Sequence, residues 1–205
     1  MKKIILIFFL LSIFSGKAQN ITYGVLVGGH IYDIITPKAD EGFRGYIGYT
    51  ILNRGGLPGD IGVFVDAKIN ESLGIKTNIF HSQSYDEYAD DDTPNNYIND
   101  YLISSIQIQP ALKIDANKEY GKGFYFLTGL RLNYILQTTH DQSDNEIGGL
   151  YKKASYGIQG GFGFMFSRLI GFEIRGDVSI SNMLDSSKRS ARTNGAYGNF
   201  FVVIN

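Results

Sequence analysis

Between Leu169 and Asn182 the chain alternates with period two. Ile170, Phe172, Ile174, Gly176, Val178 and Ile180 form one series, while Gly171, Glu173, Arg175, Asp177, Ser179 and Ser181 form the other. On a strand, successive side chains point to opposite faces, so one face is apolar and the other carries three charges. A helix would mix the two sets. The same pattern recurs in Ile61–Ile69, Leu73–Gln83, Tyr101–Ile114, Phe124–Gln137 and Ala154–Phe166, and Ile21–Tyr32 and Gly195–Asn205 complete a set of eight strands. In Phe124–Gln137 the even positions Phe124, Phe126, Thr128, Leu130, Leu132, Tyr134 and Leu136 oppose Gly129, Arg131, Asn133 and Gln137.

The connections alternate in length. Asn70–Ser72, Asp115–Gly121 and Ser167–Arg168 are short, whereas Asp33–Asp60, Ser84–Asp100, Thr138–Leu150 and Met183–Asn194 are long and polar. Short turns at one end and long loops at the other are the mark of a transmembrane barrel, whose strands need about 9–11 tilted residues. Phe43–Leu52, inside the first long connection, reads as an extension of a hairpin above the membrane.

The polar faces are built from Ser, Gln, Asn and Gly rather than from the charge-rich mixture of a soluble surface. The apolar faces are bulky and unbroken, and that much Phe and Ile would overfill an eight-stranded lumen. Both features place the apolar face in lipid and the polar face inside. The expected fold is therefore all-β, an eight-stranded antiparallel up-and-down transmembrane β-barrel with short periplasmic turns and long extracellular loops. The barrel must close, since an open edge in hydrocarbon leaves backbone groups unsatisfied. With no Trp in the chain, Tyr23, Phe64, Tyr101, Phe124, Tyr134, Tyr156, Phe166 and Phe172 are the expected interfacial aromatics.

The first residues supply the targeting. Lys2 and Lys3 precede an apolar run from Ile4 to Phe14, and Gly16-Lys17-Ala18 provides the small residues of a cleavage site. The run is far shorter than the roughly 20 residues of a spanning helix. Residues 1–18 are thus expected to be a signal peptide and 19–205 the barrel domain. The expected location is the outer membrane, crossed many times.

The formal net charge of −1 falls to −4 once Lys2, Lys3 and Lys17 are gone, which excludes an electrostatically driven nucleic-acid binder. The absence of Cys removes disulfides, thiolate metal sites and thiol catalysis together.

The run Gly62–Ile69, the turn Asn70–Ser72 and the strand Leu73–Gln83 resemble the second hairpin of PorT-like outer-membrane β-barrel proteins. Tyr101–Lys113 with Pro110, Phe124–Leu136, Gly157–Phe166 and Gly171–Leu184 follow in the same order. The resemblance implies a small barrel in the outer membrane of a Gram-negative cell. One member of that family is associated with a protein-secretion and gliding-motility apparatus.

Candidate chemistry is sparse. The inward positions carry Lys68, Lys76, Lys113, Arg131 and Arg175 against Asp66, Glu173 and Asp177. Burying these unpaired would be prohibitive, so a connected charge network plugging the lumen is expected. His30, His81 and His140 are scattered; His81 lies near Ser82 and Ser84 but on the opposite face, which separates a base from any nucleophile there. No catalytic residue, metal ligand or cofactor is assigned. Asp86, Glu87, Asp90, Asp91 and Asp92 read as an acidic loop able to contact cations, without the glycine and distal glutamate of a calcium loop. Lys188, Arg189 and Arg192 are candidates for lipopolysaccharide phosphates or for pairing with that loop. The expected function is a non-enzymatic scaffold, assembly or surface-interaction component. Its expected partners are outer-membrane lipid, lipopolysaccharide and another envelope or secretion protein, and the chain is expected to be a monomer. The alternatives are a small pore or ligand conduit and, behind it, a lipid-modifying enzyme.

Overall fold

A computed structural model describes residues 21–38, 43–50, 59–90, 98–117, 119–140, 143–146, 151–185 and 190–204. Ten strands lie among them: β1 (Ile21–Lys38), β2 (Phe43–Tyr49), β3 (Asp60–Lys68), β4 (Leu73–Asp90), β5 (Ile98–Asp115), β6 (Gly123–His140), β7 (Ser143–Glu146), β8 (Ala154–Met165), β9 (Ile170–Ser179) and β10 (Ser190–Val203). Eight of them pair antiparallel in chain order, β1-β3-β4-β5-β6-β8-β9-β10, and β10 pairs back onto β1 from Gly24↔Val203 to Lys38↔Ser190. The ring leaves no edge strand inside the membrane, as hydrocarbon demands. The expected signal peptide, residues 1–18, lies outside the described residues.

The two remaining strands belong to the extracellular end. β2 occupies the gap between β1 and β4 above the point where β3 begins, pairing Ile31↔Tyr49 on one side and Tyr49↔Tyr85 on the other. β7 adds to the top of β6. Strands β1, β4, β5 and β6 reach 18 residues each, far longer than a bilayer needs, so the sheet continues above the membrane. Parts of the stretches read as loops from sequence are therefore strand. Asp86, Glu87 and Asp90 belong to β4 rather than to the expected acidic loop. Asp91 and Asp92 lie outside the described residues, as do Lys188 and Arg189.

The inside-out arrangement is decided on β9. Glu173 and Arg175 are 0% exposed, while Ile174 between them is 39% exposed. A soluble barrel would reverse these values. Three expected positions differ. Tyr101, expected at the interface, shares the parity of Ile103 and packs against the inward cluster at the extracellular end, its ring 6.3 Å from that of Tyr151. Phe64, expected at the interface, points inward and is buried, because it shares the parity of Asp66. Gln137, expected inside, is exposed, because a register shift between Ser104 and Ser105 of β5 alters the parity of β6 above Ile135.

The periplasmic turns are held by local side-chain bonds. The Asn70 side-chain oxygen accepts from the backbone of Ser72 and Leu73, each at 2.9 Å, and the Ser167 hydroxyl accepts from Leu169 and Ile170 at 3.1 and 3.2 Å. A closed ring of this size resists detergent, so the unheated protein is expected to migrate faster on a denaturing gel than the boiled one. Identical mobility before and after boiling would contradict the closed ring.

Candidate functional site: the plugged lumen

Glu173 is the hub of the lower lumen. Its carboxylate accepts from the Lys76 ammonium across the barrel axis, from Asn78 Nδ2 at 3.1 Å and from the Tyr125 hydroxyl at 2.7 Å. Arg175, two residues along β9 on the same face, adds Nε at 3.2 Å and Nη2 at 2.7 Å. Alternation brings Glu173 and Arg175 to one wall, and closure of the ring brings Lys76 of β4 to meet them. All three are buried. Such charges persist inside only when they are paired and hydrogen-bonded, and here the one carboxylate meets both cations.

Lys76 is also held by π-faces. Its ammonium stands 3.6 Å from the Phe201 ring centroid and 4.3 Å from that of Phe64. Lys113 of β5 pairs with Asp66 of β3 at 2.8 Å and approaches Asp115 at 3.7 Å, with Tyr120 and Tyr125 rings 4.2 and 4.6 Å away. The plug is therefore part ionic and part aromatic. Inward Leu26, Phe80, Leu127 and Met165 complete its apolar packing.

A separate pair lies higher. Arg131 of β6 meets Asp177 of β9 at 2.6 Å, and its Nη2 donates to Ser179 and Thr193. The expected network is thus two groups: Asp66, Lys76, Lys113, Glu173 and Arg175 below, Arg131 and Asp177 above. Lys68 is half-buried at the end of β3 and takes no ion pair among the described residues. A third buried pair joins His30 Nδ1 to Asp60 at 2.9 Å, with the imidazole stacked between Tyr32 and Tyr197.

The extracellular end is closed by contacts that sequence reasoning missed. Asp86 is not a loop carboxylate facing cations; its side chain is fully buried and turned into the lumen. The Tyr32 hydroxyl bonds it from β1 and the Tyr151 hydroxyl at 3.1 Å, while Tyr32 also bonds Ser84 at 3.0 Å. The strand period continues through the acidic stretch, so Asp86 follows Ser82 and Ser84 inward, while Glu87 is half-buried on the strand. Ile34, Ile103, Ile135, Met183, Leu184 and Ala191 pack around this cluster as an apolar lid. Between lid and plug the enclosed space is about 30 Å³, lined by His30, Gln107, Arg131, Asn133, Ser155 and Thr193 among others. That is the volume of about one water molecule.

Glycines make the crowding geometrically feasible. A Cβ added to Gly163 would stand 2.3 Å from the Tyr125 ring, and one on Gly161 would stand 2.1 Å from the Ile174 carbonyl oxygen and 2.7 Å from the Arg175 Cα. Gly163→Ala is expected to cost about 1–3 kcal/mol by overpacking, read as a lower unfolding midpoint in urea. An unchanged midpoint would show that Tyr125 is free to move.

On the outer wall, His81 is exposed and its Nε2 lies 2.8 Å from the Ser104 hydroxyl oxygen. Ser82 and Ser84 face the lumen, as their parity requires. His140 is in β6.

A closed ring with a lipid-facing apolar wall and a packed polar interior defines a transmembrane β-barrel of the small outer-membrane type. The chain belongs to the outer membrane protein beta-barrel domain family, whose model matches residues 17–185. Its place is the cell outer membrane. No curated protein matches the chain. Among solved structures, the fold is similar to Neisserial surface protein A, with 11% identity over 88% of this chain and 96% of that one and a TM-score of 0.53. The chain is also similar to the attachment invasion locus protein Ail of Yersinia pestis, at 9% identity, 90% and 99% coverage and a TM-score of 0.48. For the outer membrane protein OprG of Pseudomonas aeruginosa the figures are 12%, 90% and 94%, and 0.43.

Proposed function

We propose that this barrel is a non-enzymatic scaffold or surface-interaction component that works through its ends and outer wall rather than through its lumen. The observation that carries the reading is the double closure. The Tyr32–Asp86–Tyr151 cluster with its apolar lid seals the top, and the Lys76–Glu173–Arg175 plug fills the bottom. A solute path would require moving strand-borne side chains that hold one another through ion pairs, hydrogen bonds and apolar packing. Eight strands leave an interior just wide enough for side chains, and here they occupy it.

The extracellular sheet formed by the long strands and β2 is the natural place for contact with lipopolysaccharide or a protein. Arg192, exposed on β10, keeps its role as a candidate phosphate contact. The resemblance to PorT-like barrels makes a secretion component the first partner to test, with the barrel acting as a monomer. His81 and Ser104 are assigned to satisfying each other's polar groups on the lipid-facing wall.

Planar-bilayer recording of the refolded wild-type barrel tests the reading. The expected trace carries no steady conductance. A stable open level in most insertions would overturn it in favour of a pore. Crosslinking in native membranes followed by pull-down would then identify what the extracellular sheet and turns touch.

A further inference from the structure

At the periplasmic mouth the underside of the plug borders a pocket. The turn between β5 and β6 bends back under the barrel, and Gly121 and Gly123 have φ of +79° and +70°, a left-handed backbone that side chains other than glycine resist. This brings Tyr120 beneath the lumen, where its hydroxyl donates to Asp66. A Cβ on Gly74 would lie 1.9 Å from the Tyr120 hydroxyl, so the β4 glycine leaves the room in which the phenol sits. Burial, and then the Asp66 carboxylate, hold the Tyr120 phenol well above its usual pKa, so it stays a neutral donor.

Beside Tyr120 is a cavity of about 150 Å³, floored by Phe64, Met165, Phe201 and Val203. Two cations on its wall are already paired, Lys76 with Glu173 and Lys113 with Asp66. The third, Arg168 of the β8–β9 turn, is exposed and takes no partner among the described residues. One uncompensated guanidinium at the rim of an apolar-floored cavity calls for one negative charge on an apolar body. A volume near 150 Å³ holds a group the size of benzene. The Asp66 carboxylate on the same wall disfavours a dianion such as phosphate.

We propose that this pocket binds a carboxylate carried on a short apolar group, with Arg168 gripping the carboxylate and the Met165–Phe201 floor receiving the apolar part. Two sources share that chemistry: a small free acid, and the C-terminal residue of a periplasmic polypeptide. The pocket lies below the plug, so its occupancy and the barrel's conductance are read separately.

Benzoate titrated into the isotope-labelled full barrel in zwitterionic micelles, followed by NMR at Arg168, Gly121 and Thr22, tests the site. The expected result is a saturable shift with a Kd of about 1 mM or tighter, weakened about tenfold or more in Arg168→Gln. That variant keeps the wild-type heat shift, because the side chain is exposed. A short acetylated peptide ending in phenylalanine separates the sources: binding at least as tight as benzoate assigns the pocket to a polypeptide terminus, and benzoate alone assigns it to a free acid. Inorganic phosphate binding as tightly as benzoate overturns the carboxylate assignment. Shifts that never saturate, or that saturate equally in Arg168→Gln, overturn the site.

Discussion

Glu173→Gln is expected to destabilise the folded barrel by about 3–5 kcal/mol, the scale on which breaking a buried ion pair leaves uncompensated charge. Two cations face this one carboxylate, Lys76 from across the axis and Arg175 from its own strand. The amide keeps the volume and can still accept through its oxygen, so the loss comes from charge rather than from a cavity. Its NH₂ group would also face the Lys76 and Arg175 donors, turning an attraction into a donor–donor clash. Arg175→Ala is expected to cost less, because Lys76, Asn78 and Tyr125 still hold the Glu173 carboxylate. The double variant should cost less than the sum of the singles, since neighbours in one network are not independent. Urea titration of the heat-modifiable form measures all three. Strictly additive effects would mean that the two residues do not act as one unit.

The alternation of apolar and polar residues made the eight strands and the inverted faces legible, because lipid outside and a filled lumen inside impose opposite demands on adjacent positions. It made Asp66, Lys76, Lys113, Arg131, Glu173, Arg175 and Asp177 legible as inward charges. It did not reveal how they pair, since Lys76 and Glu173 are 97 residues apart and meet only when the ring closes. Aromatics were misread where their chemistry suits both faces. Phe64 would be at home in lipid, yet its parity with Asp66 turns it onto the Lys76 ammonium. Asp86 was misread because an acidic stretch looks like a loop, whereas cross-strand pairing with Tyr101 carries the β4 ladder through it. Gln137 was misread because β6 carries one extra residue, Leu136, between the partners of Ser104 and Ser105, and nothing in the alternation marks that bulge beforehand. Tyr120 belongs to a turn where periodicity says nothing, and only the positive φ of two glycines explains where it goes.

Ile174→Arg is expected to cost about 2–4 kcal/mol, the range for a cation placed at the midplane of a barrel's lipid face. Ile174 is the fifth residue of the ten in β9, paired with Phe162 on one side and Gly198 on the other, and its side chain is exposed on the apolar wall. Both neighbouring residues of the same strand, Glu173 and Arg175, are buried in the lumen, so a shift of one residue in register would exchange an isoleucine in lipid for two charges there. The strand therefore cannot slip to relieve the new arginine. It must either carry the cation in hydrocarbon or snorkel along the wall toward an interface, and Ile170, Phe172 and Val178 extend the apolar surface on both sides along β9. Glu71→Arg in the exposed β3–β4 turn serves as the control and is expected to change stability by no more than about 0.5 kcal/mol. Unfolding in lipid bilayers, rather than in detergent alone, is the measurement that separates them. Equal tolerance at the two positions would mean that the face bearing Ile174 does not lie in the membrane.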